Sequence, residues 1–210
     1  MMKNNSLKHI EILVERYPEL ANSKIDIIKA TEILIEMYKN GGKVLVCGNG
    51  GSASDSMHIV GELMKGFILP RALSDELKAK INDDELSNAL QYGLPAISLV
   101  SEAALMTAFS NDQVPDAVFA QQVLGYGKKG DTLLAISTSG NSKNCVSAAK
   151  VAKALGLNVI SLTGKKTSKL EELSDVTIHA SDVETFKIQE QHLPIYHAIC
   201  LALENEFYGE

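Results

Sequence analysis

Five short apolar segments, separated by stretches with helical periodicity, are the feature that most restricts how this chain can fold. None of them alternates strictly between apolar and polar residues, so each is expected to be buried on both faces, as in a parallel sheet covered by helices. The sequence therefore predicts an α/β fold, a three-layer αβα sandwich around a five-stranded parallel sheet. The predicted strands are KVLVC (43–47), PAISLV (95–100), TLLAIS (132–137), NVISLTG (158–164) and VTIHA (176–180).

The segments between these strands carry apolar residues at helical spacing. Two helices are predicted within residues 1–40, and the last helix is predicted to run to about residue 206. Another is predicted over 53–65, with an apolar face formed by Met57, Val60, Leu63 and Met64. Other predicted helices are at 102–110, 114–126 and 143–156.

Residues 70–93 interrupt this alternation with a polar, helix-prone stretch in which Ser74 precedes Asp75 and Glu76 as a helix start. We interpret it as a helical insertion, either a solvent-exposed excursion or a lid beside the first loop. A length of 210 residues favours a single domain over 1–210.

Composition narrows the classes of function. A formal net charge of -6 argues against nonspecific nucleic-acid binding, and no apolar run reaches the roughly 20 residues of a membrane span. The start of the sequence lacks a secretory signal. Cys47, Cys145 and Cys200 form no CxxC pair, so neither a disulfide framework nor a cysteine zinc site is indicated. We expect a cytoplasmic protein with a small polar ligand.

Two glycine-rich and hydroxyl-rich loops follow predicted strands, where parallel sheets bind ligands. The first, CGNGGSASD, formally matches a dinucleotide fingerprint but lacks the acidic residue about 20 positions on, which disfavours a nicotinamide cofactor. The second, STSGNSKN, suits a phosphate, because hydroxyls and the N–H groups of a helix start can bind its oxygens. The alternative is that one serine caps the helix and the others lie in a turn. The hydroxyls are those of Ser137, Thr138, Ser139 and Ser142.

A third set of polar residues lies on two predicted helices. His58 and Glu62 are four positions apart and share a helix face, as in a metal or acid-base pair, although such pairs are also common on surfaces. The last helix contains Gln189, Glu190 and His197. An ideal helical wheel places Glu190, not Gln189, beside His197, but Pro194 lies between them and makes the wheel unreliable.

The order of these segments resembles the phosphoheptose isomerases of the sugar isomerase (SIS) domain superfamily. The resemblance covers residues 23–206 and rests on GNGGSASDSMHIVGEL, AFSND, LLAISTSGNSKN, VISLTG and IQEQHLPIYH. It implies a zinc site of His58, Glu62, Gln189 and His197, and a homotetramer with active sites between subunits. The substrate contacts it implies are Asn49, Gly50, Gly51, Glu62, Asn111, Asp112, Ser137, Thr138, Ser139, Ser142 and Gln189.

The implied reaction is the isomerisation of sedoheptulose 7-phosphate to a manno-heptose 7-phosphate, with Glu62 as base and His197 as acid. A noncatalytic SIS protein that binds a sugar phosphate or the replication initiator DnaA is the alternative. Three departures from the family pattern concern the substrate. Where the family commonly has a basic residue just after the helix of Glu62, this chain has MKGF, with Lys65 shifted and Arg71 further on. Phe186 stands where some members have an acidic residue, and the insertion at 70–93 is expected close to the pocket entrance.

Overall fold

The computed structural model describes residues 2–209 and contains one five-stranded sheet in the order β2-β1-β3-β4-β5. Every neighbouring pair is parallel, which confirms the predicted α/β class. The strands are β1 (Val44–Cys47), β2 (Ala96–Ser98), β3 (Thr132–Ser137), β4 (Asn158–Thr163) and β5 (Val176–His179).

The helices lie close to their predicted positions. Two short 3-10 turns, Pro18–Ser23 and Pro115–Ala117, join helices, and the last helix continues through Pro194. No helix within residues 2–209 is both long enough and apolar enough to span a membrane. The helices are α1 (Asn4–Arg16), α2 (Lys24–Lys39), α3 (Gly51–Met64), α4 (Asp75–Ile81), α5 (Asp84–Ala89), α6 (Ala103–Asp112), α7 (Val118–Tyr126), α8 (Lys143–Leu155), α9 (Lys169–Leu173) and α10 (Thr185–Tyr208).

Two apolar cores cover the two faces of the sheet and make the three layers. Val44 and Val46 of β1 point into the core shared with α1, α2, α3 and α10. Leu45 and Cys47 of the same strand point into the core shared with α7 and α8. Because successive side chains of a strand point to opposite faces, both sets must be apolar, which explains the missing alternation.

The apolar face predicted for α3 is partly wrong. Met57 and Met64 are 48% and 49% exposed, whereas Ser52, Ser56 and Ile59 are buried together with Leu63. The hydroxyl of Ser56 bonds to that of Ser98 in β2 over 2.9 Å. A small hydroxyl residue therefore forms part of the contact between α3 and the sheet, and a helical wheel that scores only apolar side chains misses it.

The predicted insertion at 70–93 contains α4 and α5, and an antiparallel bridge joins Ala72 to Gln91 across its base. Arg71, at the start of the segment, is fully buried and forms an ion pair with Glu204 of α10 over 2.9 Å. The two chain ends of the segment are thus held to the body of the protein. Its role as a lid stays a prediction.

Candidate functional site

The two glycine-rich loops leave β1 and β3, which are neighbours at the centre of the sheet. After β1 the chain continues through α3 to β2, and after β3 it continues through α8 to β4 on the other side in the strand order. A crevice therefore opens between the carboxyl ends of β1 and β3. Asn49 and Asn144 bridge the crevice with two amide hydrogen bonds of 2.9 and 2.8 Å. Asn144 lies in the GNSKN sequence but was not assigned a role from the sequence.

The loop after β3 (residues 137–142), called the hydroxyl loop below, is shaped by the hydroxyl groups of its own residues. Ser137 Oγ lies 2.9 Å from Ser142 Oγ, and the N–H of Asn141 donates to Ser139 Oγ over 3.1 Å. Gly140 has φ of +63°, a conformation that favours glycine. Ser142 occupies the N-cap position of α8 without a side-chain cap bond, contrary to the helix-capping alternative. Its hydroxyl therefore belongs to the loop.

The first loop approaches α10 closely at Gly51. A Cβ at Gly51 would lie 2.6 Å from the side-chain nitrogen of Gln189, so no larger residue fits while Gln189 holds this position. The preceding Gly50 has φ of +57°, which also favours glycine. Gln189 therefore faces α3, whereas the neighbouring Glu190 is exposed and the wheel-based choice of Glu190 is not supported.

Further along α3 and α10, two histidines and one carboxylate meet. His58 Nε2 lies 3.1 Å from Glu62 Oε1. The ring centroids of His58 and His197 are 5.0 Å apart, with the rings nearly perpendicular. Gln189 lies against the start of α3, roughly 10 Å along the helix from His58 at about 1.5 Å per residue. The structure thus groups three of the four predicted metal ligands and places Gln189 beside the first loop.

Tyr196 and Asp55, which the sequence analysis did not select, orient His58. The Tyr196 hydroxyl donates to Asp55 Oδ1 over 3.3 Å, so its oxygen accepts a hydrogen bond from His58 Nδ1 over 2.9 Å. The proton of neutral His58 is then on Nδ1, and the lone pair of Nε2 faces Glu62. Two acceptors in contact need a proton or a cation between them. Asp55, His58 and Glu62 do share helical spacing, a signal available in the sequence.

His197 lies in a partly desolvated position. Burial lowers its pKa, the adjacent His58 lowers the pKa further, and Glu62 acts in the opposite direction. His197 Nε2 is buried and has no hydrogen-bond partner among the described residues. Near neutral pH His197 is therefore mainly uncharged, with one ring nitrogen that makes no hydrogen bond to the described residues.

The chemistry of these donors fits zinc, which binds imidazole nitrogens and carboxylate oxygens. The buried Nε2 of His197 has no hydrogen-bond partner within residues 2–209, and the lone pair of His58 Nε2 faces Glu62. Within residues 2–209, no group of three or more His, Cys, Asp or Glu side chains already has metal-binding spacing. Binding would therefore require side chains of this cluster to change position.

Other residues selected from the sequence lie elsewhere or have structural contacts. Asn111 and Asp112, at the end of α6, are exposed and bond to each other over 2.9 Å. Within residues 2–209, neither bonds to another predicted site residue. Lys65 is exposed and lies 3.3 Å from Glu62 Oε2. Arg71 is buried in its ion pair with Glu204 and is not available to a ligand.

Comparison with known proteins identifies the family of this chain. The SIS domain family model matches residues 8–92 and 85–164. The chain is similar to the phosphoheptose isomerase of Aliarcobacter butzleri, with 40% identity covering 85% of this chain and 84% of the relative. It is also similar to that of Helicobacter pylori strain Shi470, with 36% identity over 99% and 96% of the two chains.

A solved phosphoheptose isomerase from Francisella tularensis superposes with a TM-score of 0.76 and 31% identity, covering 94% of this chain and 95% of that one. The match to the Helicobacter pylori relative covers 99% of this chain and therefore includes the two loops, α3 and α10. This chain therefore belongs to the SIS domain family and, within it, to the phosphoheptose isomerases, a family of sugar-phosphate isomerase enzymes.

Proposed function

We propose that this protein interconverts sedoheptulose 7-phosphate and D-glycero-D-manno-heptose 7-phosphate. The observation that carries the proposal is the meeting of Glu62 and His197 around His58, on the helix that begins at the first loop and the helix that contacts that loop through Gln189. A protein that only binds a sugar phosphate needs the hydroxyl loop but has no use for a carboxylate and an imidazole in this arrangement.

Aldose-ketose isomerisation requires the transfer of a proton between two adjacent carbons and the opposite transfer between their oxygens. In the proposed mechanism, the Glu62 carboxylate removes the carbon-bound proton and returns it to the neighbouring carbon. His197 donates its ring proton to the carbonyl oxygen while the enediol forms and recovers a proton from the other oxygen. Because burial keeps His197 uncharged, it acts as a neutral imidazole donor.

His58, Glu62 and His197 would hold the proposed zinc ion, and Gln189, which lies beside the first loop, would have to move toward them to be the fourth ligand. When bound, zinc supplies a positive charge that stabilises the developing negative oxygen of the substrate. The Asp55–Tyr196–His58 hydrogen bonds keep the lone pair of His58 Nε2 available for such a ligand role. One carboxylate cannot bind zinc tightly and accept a proton at the same moment, so Glu62 has to alternate between the two roles. Its side chain has His58 as a partner in the absence of zinc.

The hydroxyl loop is proposed to bind the phosphate of the substrate through Ser137, Thr138, Ser139 and Ser142. Asn49, Gly50 and Gly51 then line the path of the sugar chain between this loop and Glu62. Asn111 and Asp112 are proposed contacts that a second subunit or a movement of α6 would have to bring to the substrate, because their present bonds are to each other.

We also propose a homotetramer. Large apolar side chains on and near α3 and α10 are exposed in the single chain, and such surfaces are typical of protein interfaces. They are those of Met57, Met64, Ile68, Val183, Phe186 and Leu193. The three cysteines are free and buried, which suits the reducing cytoplasm as the place of the reaction.

Incubation of the purified protein with sedoheptulose 7-phosphate, with and without added zinc, tests the proposal. We expect aldose formation that a chelator abolishes and zinc restores. Absence of turnover in a folded, metal-loaded sample would rule out this substrate. The mass of the same sample by light scattering should be four times that of one chain, and a monomeric mass would exclude the tetramer.

A further inference from the structure

A cavity of about 220 Å³ lies between the hydroxyl loop, the loop after β4 and the start of α10. Drug-sized ligands occupy pockets of about 300–1,000 Å³, so this space suits one end of a sugar phosphate better than the whole molecule. Hydroxyl groups and two lysines dominate its polar lining. The lining residues with hydroxyl or ammonium groups are Thr138, Ser139, Lys165, Lys166, Thr167 and Thr185.

The loop after β4 is attached directly to the hydroxyl loop. The N–H of Gly164 donates to the carbonyl of Thr138 over 3.0 Å, and the N–H of Leu170 donates to that of Gly140 over 3.1 Å. A Cβ at Gly164 would lie 2.7 Å from the Thr138 carbonyl oxygen, so the two backbones meet at this glycine. The positions from which both lysine side chains start are therefore fixed relative to the hydroxyls.

Neither lysine has a carboxylate partner in the described part of the chain. Lys165 and Lys166 are exposed and form no ion pair. The nearest acidic groups along this rim have other hydrogen-bond or ion-pair partners, although Asp182 is close enough to Lys165 for their charges to interact. Asp182 accepts hydrogen bonds from the N–H groups of Val183 and Glu184, and the Glu184 carboxylate is paired with Lys187. Two ammonium groups thus remain available at the mouth of the cavity.

We propose that Lys165 and Lys166 form a cationic wall that binds the terminal phosphate of the substrate opposite the serine and threonine hydroxyls. This inference rests on the proposed function and extends it from the hydroxyl loop to the loop after β4. A chain with net charge -6 repels a phosphate dianion at long range, so local positive charge is needed to attract it. The hydroxyls fix the orientation of the phosphate, and the lysines supply the charge.

The test compares the wild-type protein with the double variant K165A/K166A in two assays. In the first, inorganic phosphate is titrated and followed by calorimetry. In the second, KM and kcat are measured with sedoheptulose 7-phosphate. We expect the Kd for phosphate and the KM each to rise about tenfold at low ionic strength, with kcat within about twofold of the wild-type value. In 0.5 M salt the difference should shrink to about threefold, because salt screens exposed charges.

The matched control is K8A/K150A, which removes the same total charge at two other exposed lysines outside the cavity. We expect its Kd and KM to remain within about twofold of the wild-type values. Equal phosphate affinity and KM in K165A/K166A and the control would overturn the lysine wall. A lysine-dependent phosphate affinity without turnover of sedoheptulose 7-phosphate by the wild type would support the wall and remove the proposed substrate.

Discussion

The hydroxyl loop and the pair of helices α3 and α10 are assembled in different ways. The loop is a local structure: the hydroxyls of Ser137 and Ser142 bond to each other, and backbone N–H groups of the segment after β4 donate to the carbonyls of Thr138 and Gly140. The helix pair assembles residues from distant parts of the chain, with Asp55 and Glu62 on one helix and Tyr196 and His197 on the other.

This difference has a physical cause. Phosphate recognition uses many weak donors whose positions follow from the backbone of one turn, so loss of one donor leaves the others in place. Acid-base chemistry uses a few groups that must be held within a fraction of an ångström. Side chains that lie between α3 and α10 therefore have larger expected effects than those of the loop.

Replacement of Glu62 by glutamine is expected to have the largest effect, because it removes the proposed base while keeping the size of the side chain. We expect kcat with sedoheptulose 7-phosphate to fall by about 10³-fold, within the range of general-base contributions. The Kd for inorganic phosphate should stay within about twofold. E76Q on α4, whose carboxylate is exposed and paired only with Lys80, is the control. Near-wild-type kcat in E62Q would exclude Glu62 as the base.

Replacement of Arg71 by methionine addresses what holds the helix pair together. The guanidinium group donates to the carbonyls of Leu63 and Glu62 at the end of α3 over 2.6 and 3.2 Å. It also pairs with Glu204 of α10, and both side chains are fully buried. R71M leaves a buried carboxylate without its cation, so we expect the free energy of unfolding to fall by about 3 kcal/mol.

Denaturant unfolding measures this change. Glu204 retains the backbone N–H groups of Phe67, Ile68 and Leu69, which should keep the loss from being larger. Burial acts to raise the pKa of Glu204, but these N–H groups and Arg71 outweigh it and lower the pKa. The control is K80A, which breaks an exposed ion pair and should change stability by less than about 0.5 kcal/mol. A loss in R71M as small as in K80A would show that the pair does not hold the helices.

The difference between the locally formed hydroxyl loop and the long-range packing of α3 against α10 explains which features the sequence could predict. The strands and the hydroxyl loop follow from short patterns, since each is determined by neighbours in the chain. The family resemblance selected Gln189, which does face α3, where an ideal helical wheel chose Glu190. The roles of Tyr196 and of the Arg71–Glu204 pair depend on how two distant helices pack, and no local pattern specifies that packing.

Replacement of Ser139 by alanine should have the smallest effect. Ser139 is exposed and its hydroxyl accepts one hydrogen bond, from the N–H of Asn141, so the free energy of unfolding should change little. Loss of one hydroxyl contact to phosphate costs about 1 kcal/mol, which is about a fivefold rise in KM and in the Kd for inorganic phosphate. S101A, at another exposed serine, is the control for both measurements. Because the remaining hydroxyls and the lysines still bind phosphate, kcat should stay unchanged. A fall in kcat without a rise in KM would mean that the loop positions the reacting end of the sugar and not its phosphate.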